Sequence, residues 1–211
     1  MIYRVNEIFH SIEGEGKRAG LPATFVRLVG CNLRCSYCDT AYAFDPSPRD
    51  LLLTEAQIGQ RVRAWGSPAV TLTGGEPLLY DCAPLFDALA NCQVNVETNG
   101  SVVLPPVRPN VFYTMDWKSP SSGCADAMRE DNLARLTEDD VLKFVVGDAD
   151  DLAAAKQVLD AHEVRAQVFF SPVFGRIEPV QIANFLIQNN MRARLQVQLH
   201  KIVWDPNQRG V

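Results

Sequence analysis

From Ala23 onward the chain alternates short apolar runs with amphipathic stretches, and this order constrains the fold more than any other feature. Strands are expected at Ala23–Val29, Ala69–Thr73, Gln93–Glu97, Val111–Trp117, Val141–Val146, Ala166–Ser171 and Arg194–Leu199. Between several of them lie helical patterns. One runs from Thr54 to Trp65, where Thr54 and Gln57 suit a capping box and Ile58, Val62 and Trp65 share a face. Others run from Asp81 to about Asn91, from Asp150 to His162 and from Glu178 to Asn190. Strand–helix alternation implies parallel strands joined by right-handed crossovers. There are too few helices for an eightfold barrel. The expectation is therefore an α/β fold, a partial (open) β/α barrel forming one domain over residues 1–211. An N-terminal extension precedes it: a strand at Tyr3–Phe9 and a glycine-rich loop from Glu13 to Gly20. Parallel sheets of this kind bind ligands at the C-terminal ends of their strands. Those ends carry Gly30-Cys31, Thr73-Gly74-Gly75-Glu76, Thr98-Asn99, Lys118-Ser119 and Ser171-Pro172.

Composition removes several functional classes. At 47% hydrophobic and 21% charged residues the chain can build a core. A net charge of −5 without a basic run is ill-suited to a nucleic-acid surface. No apolar stretch approaches the ~20 residues that cross a bilayer. Met1 to His10 alternates in polarity and carries Arg4 and Glu7, unlike a secretory leader. A cytoplasmic location with reduced thiols is expected. Against that background, Cys31, Cys35 and Cys38 stand in one loop at C-x3-C-x2-C spacing. Such thiolates suit zinc or an iron–sulfur cluster. Structural zinc needs a fourth ligand. Cys82, Cys92, Cys124 or a histidine could supply it, but none stands in a paired C-x2-C knuckle. A cluster with three protein ligands uses the cysteines as they stand and leaves one iron open. Cys82, Cys92 and Cys124 then read as small apolar residues.

The peptide Gly30-Cys31-Asn32-Leu33-Arg34-Cys35-Ser36-Tyr37-Cys38 resembles the signature of the radical S-adenosylmethionine (AdoMet) superfamily, including the aromatic residue before the third cysteine. Thr73-Gly74-Gly75-Glu76-Pro77 is similar to that superfamily's GGEP motif. Four further segments narrow the resemblance to the 7-carboxy-7-deazaguanine synthase family. They are Ile8 to Gly16, Phe25-Val26-Arg27, Cys38-Asp39-Thr40 and Gln198-Leu199-His200-Lys201.

The resemblance implies a 4Fe–4S cluster on Cys31, Cys35 and Cys38, with AdoMet chelating the fourth iron. It places AdoMet near Ser36, Tyr37, Asp39, Gly75, Glu76, Lys118, Ser119 and Ser171. Gly74 and Gly75 would let the backbone approach that cofactor closely. The implied reaction is the radical ring contraction of 6-carboxy-5,6,7,8-tetrahydropterin to 7-carboxy-7-deazaguanine, with loss of ammonia and regeneration of AdoMet. Magnesium, a hard cation, would meet the Thr40 hydroxyl. Arg27 would offer its fork to the substrate carboxylate. Ile12, Glu13, Gly14 and Thr73 would read the pterin edge, and His200 and the Val211 carboxylate would reach the substrate. The family often carries Gln where this chain has Glu13. An ionised carboxylate cannot donate a hydrogen bond, so the Glu13 backbone is the better candidate. A homodimer and a flavodoxin-type reductant are also implied.

Rival readings are a small activating enzyme that makes a radical on a protein, an iron–sulfur electron carrier, and a zinc-stabilised binding module. The formal G-x-G-x-x-A match at Gly14–Ala19 is set aside, because Pro22 and the following strand leave no room for the helix that such a fingerprint opens. Lys143, alone in an apolar strand, is left without a role.

Overall fold

The computed structural model describes residues 1–211. The strands are β1 (Ile2–Ile12), β2 (Pro22–Leu28), β3 (Leu51–Thr54), β4 (Ala69–Gly74), β5 (Gln93–Thr98), β6 (Val111–Lys118), β7 (Val141–Val146), β8 (Gln167–Pro172) and β9 (Arg194–Leu195). The α-helices are α1 (Glu55–Trp65), α2 (Ala83–Ala88), α3 (Ala149–Ala161), α4 (Pro179–Gln188) and the single turn α5 (His200–Val203). One sheet contains every strand in the order β3-β1-β2-β4-β5-β6-β7-β8-β9. β1 is antiparallel to both β2 and β3, and from β2 to β9 each neighbour is parallel. The two edges do not meet, so the barrel is open.

Alternation along the strands sorts the side chains. Val94 and Val96, then Tyr113, Met115 and Trp117, then Leu142, Phe144 and Val146 join the buried core beneath the helices. Residues of the opposite phase, among them Glu97, Asp116, Lys118 and Lys143, point into the barrel. The capping box on α1 is present: Thr54 Oγ1 accepts from Gln57 N, and Gln57 Oε1 accepts from Thr54 N. Cys82 and Cys92 lie in the apolar core, whereas Cys124 is part-exposed on the turns after β6.

Three elements differ from expectation. β3 is an edge strand of only four residues, too short to show alternation, and its pairing with β1 creates it. The helix after Asp81 ends at Ala88. The last strand keeps only Arg194 and Leu195 of the expected six residues. Beyond it the chain leaves the sheet for the glycine-rich loop. Gln196 Oε1 accepts from Gly16 N at 2.7 Å, its Nε2 donates to Gly16 O at 2.9 Å, and Leu199 N donates to Gly14 O at 3.0 Å. Gln196 N still donates to Phe170 O at 2.9 Å, and the bonds to the loop carry His200 over the barrel mouth.

Candidate active site

A cavity of about 900 Å³ opens at the C-terminal ends of the parallel strands. The cysteine loop after β2 forms one wall. Its shape is fixed by hydrogen bonds: Ser36 N donates to Ser122 O at 2.9 Å, Ser36 Oγ to Ser121 O at 2.7 Å, and Tyr37 Oη to Val145 O at 3.2 Å. Cys31, Cys35 and Cys38 all line the cavity, and none is in a disulfide. Asn99 Nδ2 lies 3.7 Å from Cys31 Sγ.

These residues fit an iron–sulfur cluster, which takes one thiolate per iron from ligands spaced along a loop. No three Cys, His, Asp or Glu side chains stand at single-ion spacing. Burial pushes the Cys35 thiol up to about 12, so loading iron must displace its proton.

The glycine pair acts differently from expectation. A Cβ on Gly75 would sit 2.1 Å from Gly30 O, and one on Gly74 would sit 2.0 Å from Leu28 O. The close approach is thus to the backbone that leads into Cys31. Gly75 N donates to Leu28 O at 3.0 Å and Glu76 N to Gly30 O at 2.7 Å, which clamps the start of the cysteine loop onto β4. The Glu76 side chain, expected at AdoMet, is fully buried and already partnered by Leu78 N, Thr98 Oγ1 and Asn99 N at 2.9, 2.8 and 2.6 Å. It does not line the cavity, and it joins the ends of β4 and β5 instead. Ser119 and Ser171 also lie off the cavity wall. The Ser119 hydroxyl is buried without a partner, and Ser171 Oγ donates to Gln196 O at 3.1 Å. Ser36, Tyr37, Asp39, Gly75 and Lys118 do line it.

The remaining predicted residues surround the same space: Ile12, Glu13, Gly14, Arg27, Thr40, Thr73, His200 and Val211. Arg27 Nε donates to Glu7 Oε1 at 2.8 Å, and its two terminal nitrogens have no protein partner. The Glu13 carboxylate is 2% exposed and occupied: it accepts from Thr71 Oγ1 at 2.6 Å and from Arg18 Nη2 at 3.2 Å. Its side chain therefore braces the loop, and its backbone is occupied as well: Glu13 N donates to Leu21 O and Glu13 O accepts from Gly20 N, both at 2.8 Å. Gly14 is bare because the His200 ring lies on it; a Cβ there would sit 2.3 Å from Nδ1. Burial, partly offset by Glu15, lowers the His200 pKa and keeps the ring neutral at neutral pH. The Thr40 hydroxyl donates to Asp39 Oδ1 at 3.0 Å. Partial burial works against ionisation of Asp39, yet Lys201, 2.9 Å away, holds its carboxyl at about 2.

Sequence reading named Lys118 and left Lys143 without a role, but missed Glu15, Glu97 and Asp116, the acids that meet them on the floor of the cavity. The available signal was a charged residue on the barrel-facing phase of otherwise apolar parallel strands. Asp116 and Lys143 are register partners on β6 and β7. Thr73 Oγ1 donates to Glu97 Oε2 at 3.0 Å. Burial, opposed by Lys143 and reinforced by Glu13, Glu15 and Asp116, pushes Glu97 up to about 7. The ordinary value is 4.5, so the folded chain holds an extra proton between the two. The stability this confers is complete below the lower value and lost as pH rises through the upper one. Glu97→Gln is therefore expected to melt close to wild type near ~pH 5 and above it near ~pH 8. An equal difference at both pH values, read by circular dichroism, would refute the placement of this charge.

The sequence model of the Radical SAM superfamily matches residues 25–136. The chain is 41% identical, over the whole of both sequences, to the 7-carboxy-7-deazaguanine synthase of Clostridium acetobutylicum. It is 39% identical to that of Chlorobaculum tepidum, covering 98% of this chain and 96% of the relative. Its fold matches the crystal structure of QueE from Escherichia coli with a TM-score of 0.80, at 24% identity and 94% coverage of each chain. Whole-length identity at this level, on a fold with the cysteine loop and glycine pair in place, shows that the chain belongs to the radical AdoMet superfamily and, within it, to the 7-carboxy-7-deazaguanine synthases.

Proposed function

We propose that this chain converts 6-carboxy-5,6,7,8-tetrahydropterin to 7-carboxy-7-deazaguanine, acting as one unit over residues 1–211. The observation that carries the reading is the convergence of the cysteine loop, the Arg27 fork and the glycine-rich loop on one cavity. Cys31, Cys35 and Cys38 would hold the 4Fe–4S cluster, and Lys118, on the same cavity, would meet AdoMet. Bound together, these groups supply a one-electron means of removing hydrogen from carbon.

The chain's own residues bind, orient and exclude water. Arg27, braced through Nε by Glu7, turns its free fork to the substrate carboxylate. The donor-rich pyrimidine edge of a pterin suits an acceptor, and Glu97 offers one at the cavity floor. Neutral His200 can donate or accept. Pro206 to Val211 line the cavity together with the cysteine loop and the glycine-rich loop.

In this reading the Thr40 hydroxyl would help hold magnesium. Thr40→Ala is expected to weaken the magnesium dependence of turnover and leave the cluster spectrum intact. An unchanged magnesium response would remove Thr40 from the metal. A flavodoxin-type reductant, a homodimer and a cytoplasmic location complete the proposal; no helix is long and apolar enough to cross a membrane. The deciding experiment is anaerobic incubation of the reconstituted enzyme with AdoMet, reductant and the carboxypterin. The ultraviolet spectrum of the deazaguanine should appear, and its absence would end this reading.

A further inference from the structure

Lys143 enters none of the steps above, yet it is among the most connected charges in the molecule. It is 4% exposed, on the barrel-facing phase of β7. Its Nζ lies 2.5 Å from Glu15 Oε2 and 3.1 Å from Asp116 Oδ1. On the other oxygen of Asp116, Oδ2 accepts from Lys118 Nζ at 2.7 Å. A continuous chain of charge therefore runs Glu15–Lys143–Asp116–Lys118 across the cavity floor. At one end it starts in the glycine-rich loop that carries Gly14. At the other it reaches the strand end beside the cysteine loop.

The loop has other ties as well. Arg18 holds it to Val70 O and Gln93 O at the opposite end of the barrel, Gln196 holds Gly16 to the C-terminal segment, and Lys17 donates to Asp139 O ahead of β7 while lying over the Phe112 ring of β6. Glu15 is its tie to the charges of the cavity floor.

The charges facing Lys143 come from every side: Glu15 on the loop, Glu97 on β5, Asp116 and Lys118 on β6. Glu13 is neutralised separately by Arg18. Burial works against the charge on Lys143, but Asp116, Glu15 and Glu97 hold its pKa well above the lysine range, so the ammonium persists. Without it, three carboxyls would share the single cation of Lys118.

We propose that Lys143 is a positioning residue that sets the pterin-reading loop in register with the AdoMet side of the cavity by bridging Glu15 to the Asp116–Lys118 pair. The proposal rests on the pterin reading above and deepens it. A displaced loop would misplace the substrate relative to the group that takes its hydrogen, and an error of an ångström there is costly.

The test uses the reconstituted holoenzyme. Lys143→Met should keep wild-type iron and sulfide content. Its affinity for the carboxypterin, measured without reductant, should fall ~30-fold or more, as for truncation of one partner of a buried charge pair. 5′-Deoxyadenosine released per deazaguanine formed should rise, a ratio that partial unfolding would not move. Lys143→Arg, which keeps the charge, should restore most of the affinity and the ratio. In a Glu15→Gln background, Lys143→Met should change pterin affinity by less than ~3-fold, because the interaction it removes is already gone. That background also carries the measurement if the single Met variant does not fold.

Wild-type affinity and ratio in Lys143→Met would overturn the inference. So would a full additional loss in the Glu15→Gln background, or no recovery with Arg. If the wild-type enzyme itself binds no carboxypterin, the substrate reading has failed instead.

Discussion

Gly75→Ala is expected to strip the protein of its iron–sulfur cluster. The added methyl would lie 2.1 Å from Gly30 O, 2.5 Å from Gly30 C and 3.0 Å from Cys31 N. All three are backbone atoms and cannot rotate away. Relief requires β4 to separate from the end of β2, which breaks the bonds from Gly75 N to Leu28 O and from Glu76 N to Gly30 O. Overpacking strain plus two lost hydrogen bonds amounts to about 3–5 kcal/mol. That is a large share of the total stability of a domain. It falls on the residue next to the first cysteine ligand. Thermal melting of the metal-free variant and iron per chain after reconstitution are the two measurements. A wild-type melting temperature with full iron loading would show that the clamp does not exist.

Gly14→Ala should behave in the opposite way. Its methyl would meet the His200 ring, 2.3 Å from Nδ1 and 3.2 Å from Cε1. A side chain can swing aside where a backbone cannot, so stability should change by no more than about 1 kcal/mol. Iron content should also be retained. The cost appears in the site, because the evicted ring no longer faces the substrate and the Leu199–Gly14 contact loosens. Turnover of the carboxypterin is expected to fall ~10–100-fold. The double variant Gly14→Ala/His200→Ala should be no slower than His200→Ala alone. If the two losses multiply, Gly14 acts on something other than His200.

Much of the architecture was legible because its causes are local. Periodicity places β4 to β8 and α1, α3 and α4 within one or two residues, and the Thr54–Gln57 capping box follows from a spacing of three. The cysteine loop and GGEP peptide were legible for the same reason. Misreadings cluster where a side chain's partner is remote. Glu76 sits in a cofactor motif, but Thr98 and Asn99 at the end of the next strand claim both its oxygens. Glu13 is expected to serve through its backbone, but Leu21 O and Gly20 N take up that backbone while Arg18 and Thr71 hold the side chain. Past Leu195 only Gln196 N still pairs with β8, donating to Phe170 O, while the Gln196 side chain reaches across to the Gly16 backbone, a partner 180 positions away.

The sequence by itself determined the order of strands and helices, the open α/β class and the three-thiolate loop, because sterics and hydrophobic period act over a few residues. The tertiary structure decided which charges meet. Lys143 finds Glu15 across 128 positions, and it finds Asp116 only because β6 and β7 pair in one register. Shifted by one residue, that pairing would no longer set Asp116 opposite Lys143. The six cysteines and the net charge of −5 point to a cluster in an acidic protein. That two lysines hold the acidic floor beside it is a property of the paired strands, not of the string.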